Sequence, residues 1–180
     1  LLGILTDIDD TLTTDGAITP DAMQALGALK ASGLHVIPIT GRPVGWSEPF
    51  TATWPVDAIV AENGAVALQR SAEVFDQNSP LPNHSKREQL SKIYQQDAAT
   101  RAANYANMQQ VLAQIEREVP GVRRATDSPG RETDIAIDHS EFTHLPQEAI
   151  DHAVRIMRNA GMNATVSSIH INGWFGAHNK

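Results

Sequence analysis

The chain contains no cysteine among its 180 residues. Disulfide bonds, thiolate nucleophiles and cysteine-based zinc or iron–sulfur sites are therefore excluded. The chain also lacks any apolar stretch close to the roughly 20 residues that span a bilayer. It does not begin with the charged segment and small-residue cleavage site of a signal peptide. We therefore expect a cytoplasmic protein that makes no membrane contact.

Positive charge is scarce as well. The chain has 14 Lys and Arg residues against 21 Asp and Glu residues, for a net charge of -7, and it has no run of basic residues. Nucleic acids and anionic membrane surfaces are consequently poor partners. A small anionic substrate would need local help from a metal ion, a lysine or helix N-termini.

Three widespread motifs are also absent, namely G-x-S-x-G, G-x-x-x-x-G-K-[ST] and G-x-G-x-x-G. Their absence argues against the common serine hydrolases, P-loop NTPases and dinucleotide-binding proteins. The length leaves room for one sizeable core, or for a core with a smaller inserted module.

The first third of the chain alternates between strand and helix patterns. Residues 1–8 form a nearly continuous apolar run, which is typical of a buried parallel strand. Thr19 and Pro20 then predict the start of a helix that ends at Ser32-Gly33. Apolar runs at 34–40 and 57–61 predict two further strands. This alternation favours an α/β fold with a parallel sheet.

The pattern changes in the second half of the chain. Residues 84–119 lack glycine and proline and carry apolar side chains at helical spacing, which predicts one long helix or two. Residues 122–127 and 132–139 predict antiparallel strands with one solvated face, and 146–159 predicts another helix. We interpret residues 83–171 as an α+β insertion in the α/β domain.

The segment LTDIDDTLTTDG, residues 5–16, places four aspartates directly after the first apolar run. Asp7 and Asp9 are two residues apart, so on an extended chain both would leave the end of the strand on one side. Ligands bind at this end in open α/β sheets. Asp10 would point away, either to solvent or into a supporting role, and Asp15 with Gly16 predicts a tight turn.

Two neighbouring carboxylates suit phosphoryl transfer. They repel each other unless a cation binds, and carboxylate oxygens are ligands that Mg²⁺ prefers. One carboxylate can attack phosphorus to form an aspartyl phosphate. The other can protonate the leaving alkoxide and later activate water.

These residues also form part of a family resemblance. DIDDTLT, residues 7–13, resembles the first motif of the haloacid dehalogenase superfamily, and VIPITGRP, residues 36–43, resembles the second. TGRP and AENGA are typical of its type IIB branch, which includes sucrose- and trehalose-phosphatases. The resemblance implies a Rossmann-like parallel-sheet core at 1–82, an inserted C2-type cap at 83–171 and a return to the core at 172–180. The chain ends before the fourth motif of the family, which supplies a further Mg²⁺ carboxylate, so we expect the C-terminal part of the core to be missing.

The resemblance also implies residue roles. Asp7 would be the nucleophile and a Mg²⁺ ligand, and Asp9 the general acid and base with its backbone carbonyl on the metal. Thr40 and the Gly41 N–H would hold the transferred phosphoryl group. Lys180 would neutralise the charge of that group and orient Asp7.

Further residues have two open interpretations. Arg42, Asn63 and Glu62 are candidates for the substrate pocket. Arg42 could equally be a surface or packing residue, and Asn63 a turn amide that bonds to its own backbone. Arg123, Arg124 and Arg131 in the predicted insertion either grip a second anionic group of the substrate or lie on a solvated strand face.

Taken together, the resemblance implies a Mg²⁺-dependent phosphatase that acts on a small phosphorylated metabolite, with a sugar phosphate as the expected substrate. A phosphosugar mutase of the same fold remains an alternative. So does a non-catalytic sugar-phosphate-binding protein, which only the missing fourth motif favours. The sequence predicts no oligomeric state.

Overall fold

The computed structural model describes residues 2–70 and 90–180. The chain divides into two compact units, one formed by Leu1–Gln95 with Asn179–Lys180 and the other by Gln96–His178. The second unit differs in its limits from the predicted insertion at 83–171. Residues 83–89 of that insertion lie outside the described residues.

The first unit is built on a sheet with two helices. Its elements are β1 (Gly3–Asp7), β2 (Thr13–Thr14), β3 (Ala17–Ile18), α1 (Pro20–Ala31), β4 (His35–Ile39), α2 (Val44–Thr53), β5 (Ala58–Ala61), a 3₁₀ turn (Glu62–Gly64), β6 (Val66–Arg70) and β7 (Leu90–Tyr94). The strand order in the larger sheet is β1-β4-β5-β6-β7. β1, β4 and β5 run parallel, whereas β6 and β7 are antiparallel additions. The predicted α/β fold with a parallel-sheet core is confirmed.

Local chemistry explains where the first elements begin and end. Thr19 is the N-cap of α1, its hydroxyl accepts a hydrogen bond from the Ala22 N–H at 3.3 Å, and Pro20 occupies the first helical position. Asp15 and Gly16 both have positive φ, 50° and 78°, at the tip of the β2–β3 hairpin. This is the backbone that a two-residue hairpin turn requires. The predicted turn and helix start are therefore confirmed.

The core of the first unit lies between the sheet and its helices. Ile8, Leu26 and Ile59 are among its fully or nearly fully buried side chains. β1 and β4 pair in register, with Asp7 opposite Ile39. The parallel pairing therefore brings the residues that follow β1 and β4 to the same edge of the sheet.

The second unit packs two helices against an antiparallel sheet. Its elements are α3 (Ala98–Glu118), β8 (Arg123–Arg124), a 3₁₀ turn (Ser128–Gly130), β9 (Asp134–Asp138), α4 (Gln147–Asn159), β10 (Asn163–Val166) and β11 (His170–Trp174). The strand order is β10-β11-β9-β8. Ile115, Ile137 and Met157, from α3, β9 and α4, are fully buried in its core. None of the helices in 2–70 and 90–180 is long and apolar enough to cross a membrane.

Two local predictions are wrong. Leu90–Tyr94 was predicted as helical but forms β7, which pairs antiparallel with β6. Over five residues the apolar spacing fits a helix as well as a strand. Pairing with the edge of β6 makes this segment a strand. The strand at 132–139 was predicted to have a solvated face, yet all five residues of β9 are buried.

Candidate active site

The candidate site lies at the edge of the first unit where β1 and β4 end. Asp7 is the last residue of β1. Thr40 follows β4 directly and continues its pairing, because its N–H donates to the Val60 carbonyl of β5 at 2.8 Å. Main-chain hydrogen bonds thus hold both segments rigidly beside each other.

The carboxylate of Asp7 accepts two hydrogen bonds on the same oxygen. The Lys180 Nζ lies 2.6 Å from Asp7 Oδ1, and the Ile8 N–H donates to this atom at 2.7 Å. Among the described residues nothing bonds to Oδ2. The side chains of Asp7 and Lys180 are 39% and 38% exposed. Asp7 therefore offers one oxygen to a ligand while a lysine holds the other.

Asp9 lies in the turn that follows β1 rather than on an extended strand. The Ile8 carbonyl accepts hydrogen bonds from the N–H groups of the next residues, Thr11, Leu12 and Thr13. The prediction that Asp7 and Asp9 leave an extended strand on one side is therefore wrong, because β1 ends at Asp7. Asp10 is exposed and has a left-handed φ of 58° in the same turn.

The Asp9 carboxylate contacts the segment that follows β4. The Arg42 Nε and Nη2 lie 3.0 and 2.9 Å from Asp9 Oδ1, and the Thr40 hydroxyl is 3.4 Å from Oδ2. The guanidinium of Arg42 also lies over the Trp46 ring, 5.3 Å from its centre. Arg42, predicted as a substrate-pocket or packing residue, contacts the predicted general acid directly.

Thr40, Gly41 and Arg42 form a tight turn after β4. Thr40 is fully buried, and its hydroxyl oxygen accepts a hydrogen bond from the Arg42 N–H at 3.0 Å. Gly41 lies between these two partners. The turn thereby folds back toward the residues that follow β1.

A second turn, Glu62-Asn63, supports this segment from β5. Both residues have positive φ, 47° and 56°. The Asn63 N–H donates to the Thr40 carbonyl at 3.1 Å, and the Glu62 N–H donates to the Arg42 carbonyl at 3.1 Å. Asn63, 7% exposed, therefore supports the predicted phosphate-binding turn through its backbone.

Glu62 has a role that the sequence analysis missed. Its carboxylate is fully buried and accepts a hydrogen bond from the Val44 N–H at 3.0 Å, at the start of α2. Pro43, the N-cap residue, has no side chain able to accept this bond. The lack of a capping residue before α2 indicated that another side chain must cap this helix. Nothing in the sequence indicated that this side chain is Glu62.

Gly64 allows the end of the chain to reach the site. Its φ is +101°, and a Cβ added there would lie 2.9 Å from the Asn179 carbonyl oxygen. Only glycine permits this approach. Asn179 then accepts a hydrogen bond from the Lys180 N–H at 2.9 Å, next to the lysine that contacts Asp7.

Arg124 and Arg131 belong to the second unit, where both pair with carboxylates. Arg124 contacts Glu116 at 2.6 Å on the surface. The Arg131 side chain is 3% exposed and binds Asp127 and Asp134 at 2.9 and 2.8 Å. The prediction of a solvated strand face is therefore wrong for Arg131.

The donors at the first-unit site suit Mg²⁺ in type. The Asp7 carboxylate and the Asp9 backbone carbonyl are oxygen donors close together in sequence, and Mg²⁺ uses few protein ligands because it keeps waters and substrate oxygens. No group of three histidine or acidic side chains able to hold a metal exists among the described residues. A Mg²⁺ ion here would therefore depend on Asp7 as the main side-chain ligand.

Fold and site together define an α/β protein with an acidic site at the carboxyl ends of parallel strands. The family model of haloacid dehalogenase-like hydrolases matches residues 4–141. Because this match covers more than half of the chain, the chain belongs to this family. The predicted superfamily membership and hydrolase class are confirmed. No curated protein matches the chain by sequence.

Solved structures share the fold at low sequence identity. A Thermoplasma acidophilum protein, 0175, matches with a TM-score of 0.68 and 15% identity, covering 100% of this chain and 68% of its own. The Synechocystis sucrose-phosphatase, in complex with sucrose and phosphate, has a TM-score of 0.59 and 13% identity, covering 96% and 63%. A subclass IIB sugar phosphatase has a TM-score of 0.60 and 12% identity, covering 99% and 72%. These identities establish the shared fold alone.

Proposed function

We propose that this protein is a Mg²⁺-dependent phosphatase that hydrolyses a small phosphorylated metabolite through an aspartyl phosphate on Asp7. One observation carries the proposal. The Lys180 Nζ lies 2.6 Å from Asp7 Oδ1 although the two residues are 173 positions apart. The fold thus joins the predicted nucleophile to the cation expected to accompany it.

Asp7 is suited to attack phosphorus through Oδ2, because Lys180 and the Ile8 N–H both bind Oδ1. Attack would form the Asp7 O–P bond and break the bond to the leaving alkoxide, which needs a proton. Lys180 would then face the negative charge of the transferred group. Phosphoryl transfer depends mainly on such positioning and charge stabilisation.

Asp9 is the proposed proton donor and, later, the base that activates water. In this structure its carboxylate faces Arg42 and the Thr40 hydroxyl. Asp9 must therefore turn from Arg42 toward the leaving oxygen before it can transfer a proton. Thr40 and Gly41 are the proposed binding groups for the transferred phosphoryl.

Asp7 and the Asp9 backbone carbonyl are the residues that would hold Mg²⁺. The bound ion would neutralise the mutual repulsion between Asp7 and the phosphate of the substrate. The family generally uses this metal, and the donor atoms fit it.

A sugar phosphate is the proposed substrate class. Structures of the same fold include sucrose-phosphatase and a sugar phosphatase, which supports this choice. A phosphosugar mutase and a non-catalytic sugar-phosphate-binding protein remain alternatives, and the cytoplasmic location remains a prediction.

Phosphate release from a panel of phosphorylated sugars and other metabolites tests the proposal, with and without Mg²⁺. We expect Asp7→Asn to lower turnover on the order of 10³-fold or more, and Asp9→Asn to lower it roughly 10²- to 10⁴-fold. Asp10→Asn is the matched control because Asp10 is exposed and asparagine tolerates its left-handed φ.

Three outcomes would contradict the proposal. Unchanged activity in Asp7→Asn would remove Asp7 as the nucleophile. Isomerised sugar phosphate with little free phosphate would indicate a mutase. Binding of sugar phosphates without turnover of any substrate in the presence of Mg²⁺ would indicate a binding protein.

A further inference from the structure

The second unit contains a cavity of about 410 Å³ that the proposed phosphatase chemistry does not use. Its walls are α3 on one side and the segment from β8 to β9 on the other. Tyr105, Gln109 and Leu112 of α3 line it, and their spacing places them on one face of the helix. The volume lies within the range of small-molecule sites.

Three neutral polar side chains that line this cavity form no hydrogen bond within the described part of the chain. The Tyr105 hydroxyl, the Gln109 amide and the Thr126 hydroxyl make no hydrogen bond to any residue in the described ranges 2–70 and 90–180. Tyr105 is also 45% exposed, which is high for so large a ring. These groups supply both donors and acceptors for a ligand.

The charged side chains of the cavity are already paired. Arg124 binds Glu116 through two nitrogens, at 2.6 and 2.9 Å. The Arg131 guanidinium binds Asp127 and Asp134 through separate bidentate contacts of 2.8 to 3.0 Å. Both guanidinium groups are therefore already bound by carboxylates. A phosphate would have to displace a carboxylate from an arginine, so an anionic ligand is disfavoured.

The rest of the lining is apolar. Leu112 and Ile135 contribute buried aliphatic surface, and Pro129 and the Tyr105 ring contribute exposed surface. A sugar ring matches this mixture, because its C–H faces pack on aromatic and aliphatic groups while its hydroxyls exchange hydrogen bonds with neutral amides and hydroxyls.

We propose that this cavity binds a neutral polyhydroxylated ligand, an unphosphorylated mono- or disaccharide. Gln109 and Thr126 supply its hydrogen bonds and Tyr105 supplies a packing surface. The inference is independent of the chemistry proposed for Asp7, because residues of the second unit alone line the cavity.

Saturation-transfer NMR and calorimetry with D-glucose and maltose test the inference on the whole protein. We expect saturable binding of at least one sugar, weakened tenfold or more in Gln109→Leu and in Thr126→Val. Gln110→Leu is the matched control, since Gln110 is the exposed neighbour of Gln109 and does not line the cavity. Asp7→Asn should bind the sugar as the wild type does.

Several results would overturn the inference. The first is that neither sugar binds at a concentration of about 100 mM. The second is that the wild type, Gln109→Leu and Thr126→Val bind a sugar equally well. The third is that Asp7→Asn loses sugar binding. Tighter binding of glucose 6-phosphate that depends on Gln109 would overturn the neutral ligand class. Thr126→Val keeps nearly the same side-chain shape at an exposed position. It therefore tests whether sugar binding depends on the cavity even if Gln109→Leu impairs folding.

Discussion

Replacement of Arg131 by methionine should destabilise the second unit strongly. The side chains of Arg131 and Asp134 are 3% and 0% exposed, and that of Asp127 is 16% exposed. Burial opposes the charge on Arg131, but Asp134 and Asp127 outweigh it and raise the pKa of the guanidinium. Arg131→Met removes the cation that these buried carboxylates share, and loss of one member of such a network costs about 3–5 kcal/mol.

Arg124→Met is the matched control for this prediction. Arg124 makes an equally bidentate contact with Glu116, but the two side chains are 45% and 37% exposed. Loss of such a surface pair costs about 0.2–1 kcal/mol. Both variants replace an arginine by methionine, so the difference between their losses of stability measures the effect of burial on the ion pair.

Hydrogen exchange followed by mass spectrometry resolves this effect because it reports on β9 and α3 of the second unit alone. At about 1.4 kcal/mol per tenfold, Arg131→Met should accelerate exchange in β9 by roughly 10²-fold or more. The loss of stability should shrink as the pH falls, because removal of a neighbouring cation raises the pKa of a buried carboxylate, which then becomes neutral by protonation. Equal exchange in Arg131→Met and Arg124→Met would refute the reasoning.

Three further predictions concern single side chains. Asp138 accepts backbone N–H groups on both oxygens; burial opposes its charge, but bonds from the Glu141, Phe142 and Thr143 N–H groups lower its pKa. Asp138→Asn should cost about 1–3 kcal/mol in urea unfolding at pH 7. Because the folded-state pKa is lowered, this difference is fully present above the ordinary Asp pKa. It is lost as the pH falls below that value and through the lowered folded-state pKa, and a difference that persists in stronger acid would contradict the assignment. Gly64→Ala should lower thermal stability more than Gly16→Ala, because both glycines have positive φ but only Gly64 faces a backbone atom; equal melting temperatures would contradict this. Glu62→Ala should lower the free energy of unfolding by about 1–2 kcal/mol, because the cap of α2 is lost. Glu62→Gln should retain most of that stability. Equal unfolding midpoints for the two variants would show that Glu62 does not cap α2.

Local chemistry explains the elements that could be predicted from the sequence. Thr19-Pro20 started α1 and Asp15-Gly16 turned the β2–β3 hairpin, because these residues favour their backbone conformations without help from distant contacts. The failures were elements that depend on partners. Leu90–Tyr94 became a strand because β6 offers a sheet edge, and β9 is buried on both faces although its sequence alternates.

The candidate site likewise has residues that could be predicted from the sequence and contacts that could not. Its motif residues, Asp7, Asp9 and Thr40, could be named from their positions after apolar runs, since a strand end must present the residues that follow it. Apart from the contact between Asp7 and Lys180, which the resemblance implied, their contacts could not be predicted. Arg42 binds Asp9 because the turns after β1 and β4 meet at one sheet edge.

The sequence by itself determined the order of the first strands and helices, the excess of acidic groups and the family to which the chain belongs, because these follow from local patterns and composition. Tertiary structure alone decided which charges meet. Arg42 binds Asp9, Glu62 caps α2 and Arg131 lies between two carboxylates. The Arg42–Asp9 contact and the cap of α2 by Glu62 join residues distant in the chain. The ion pairs of Arg131 depend on the burial of its own loop. The energy of each contact therefore depends on packing that no local pattern encodes.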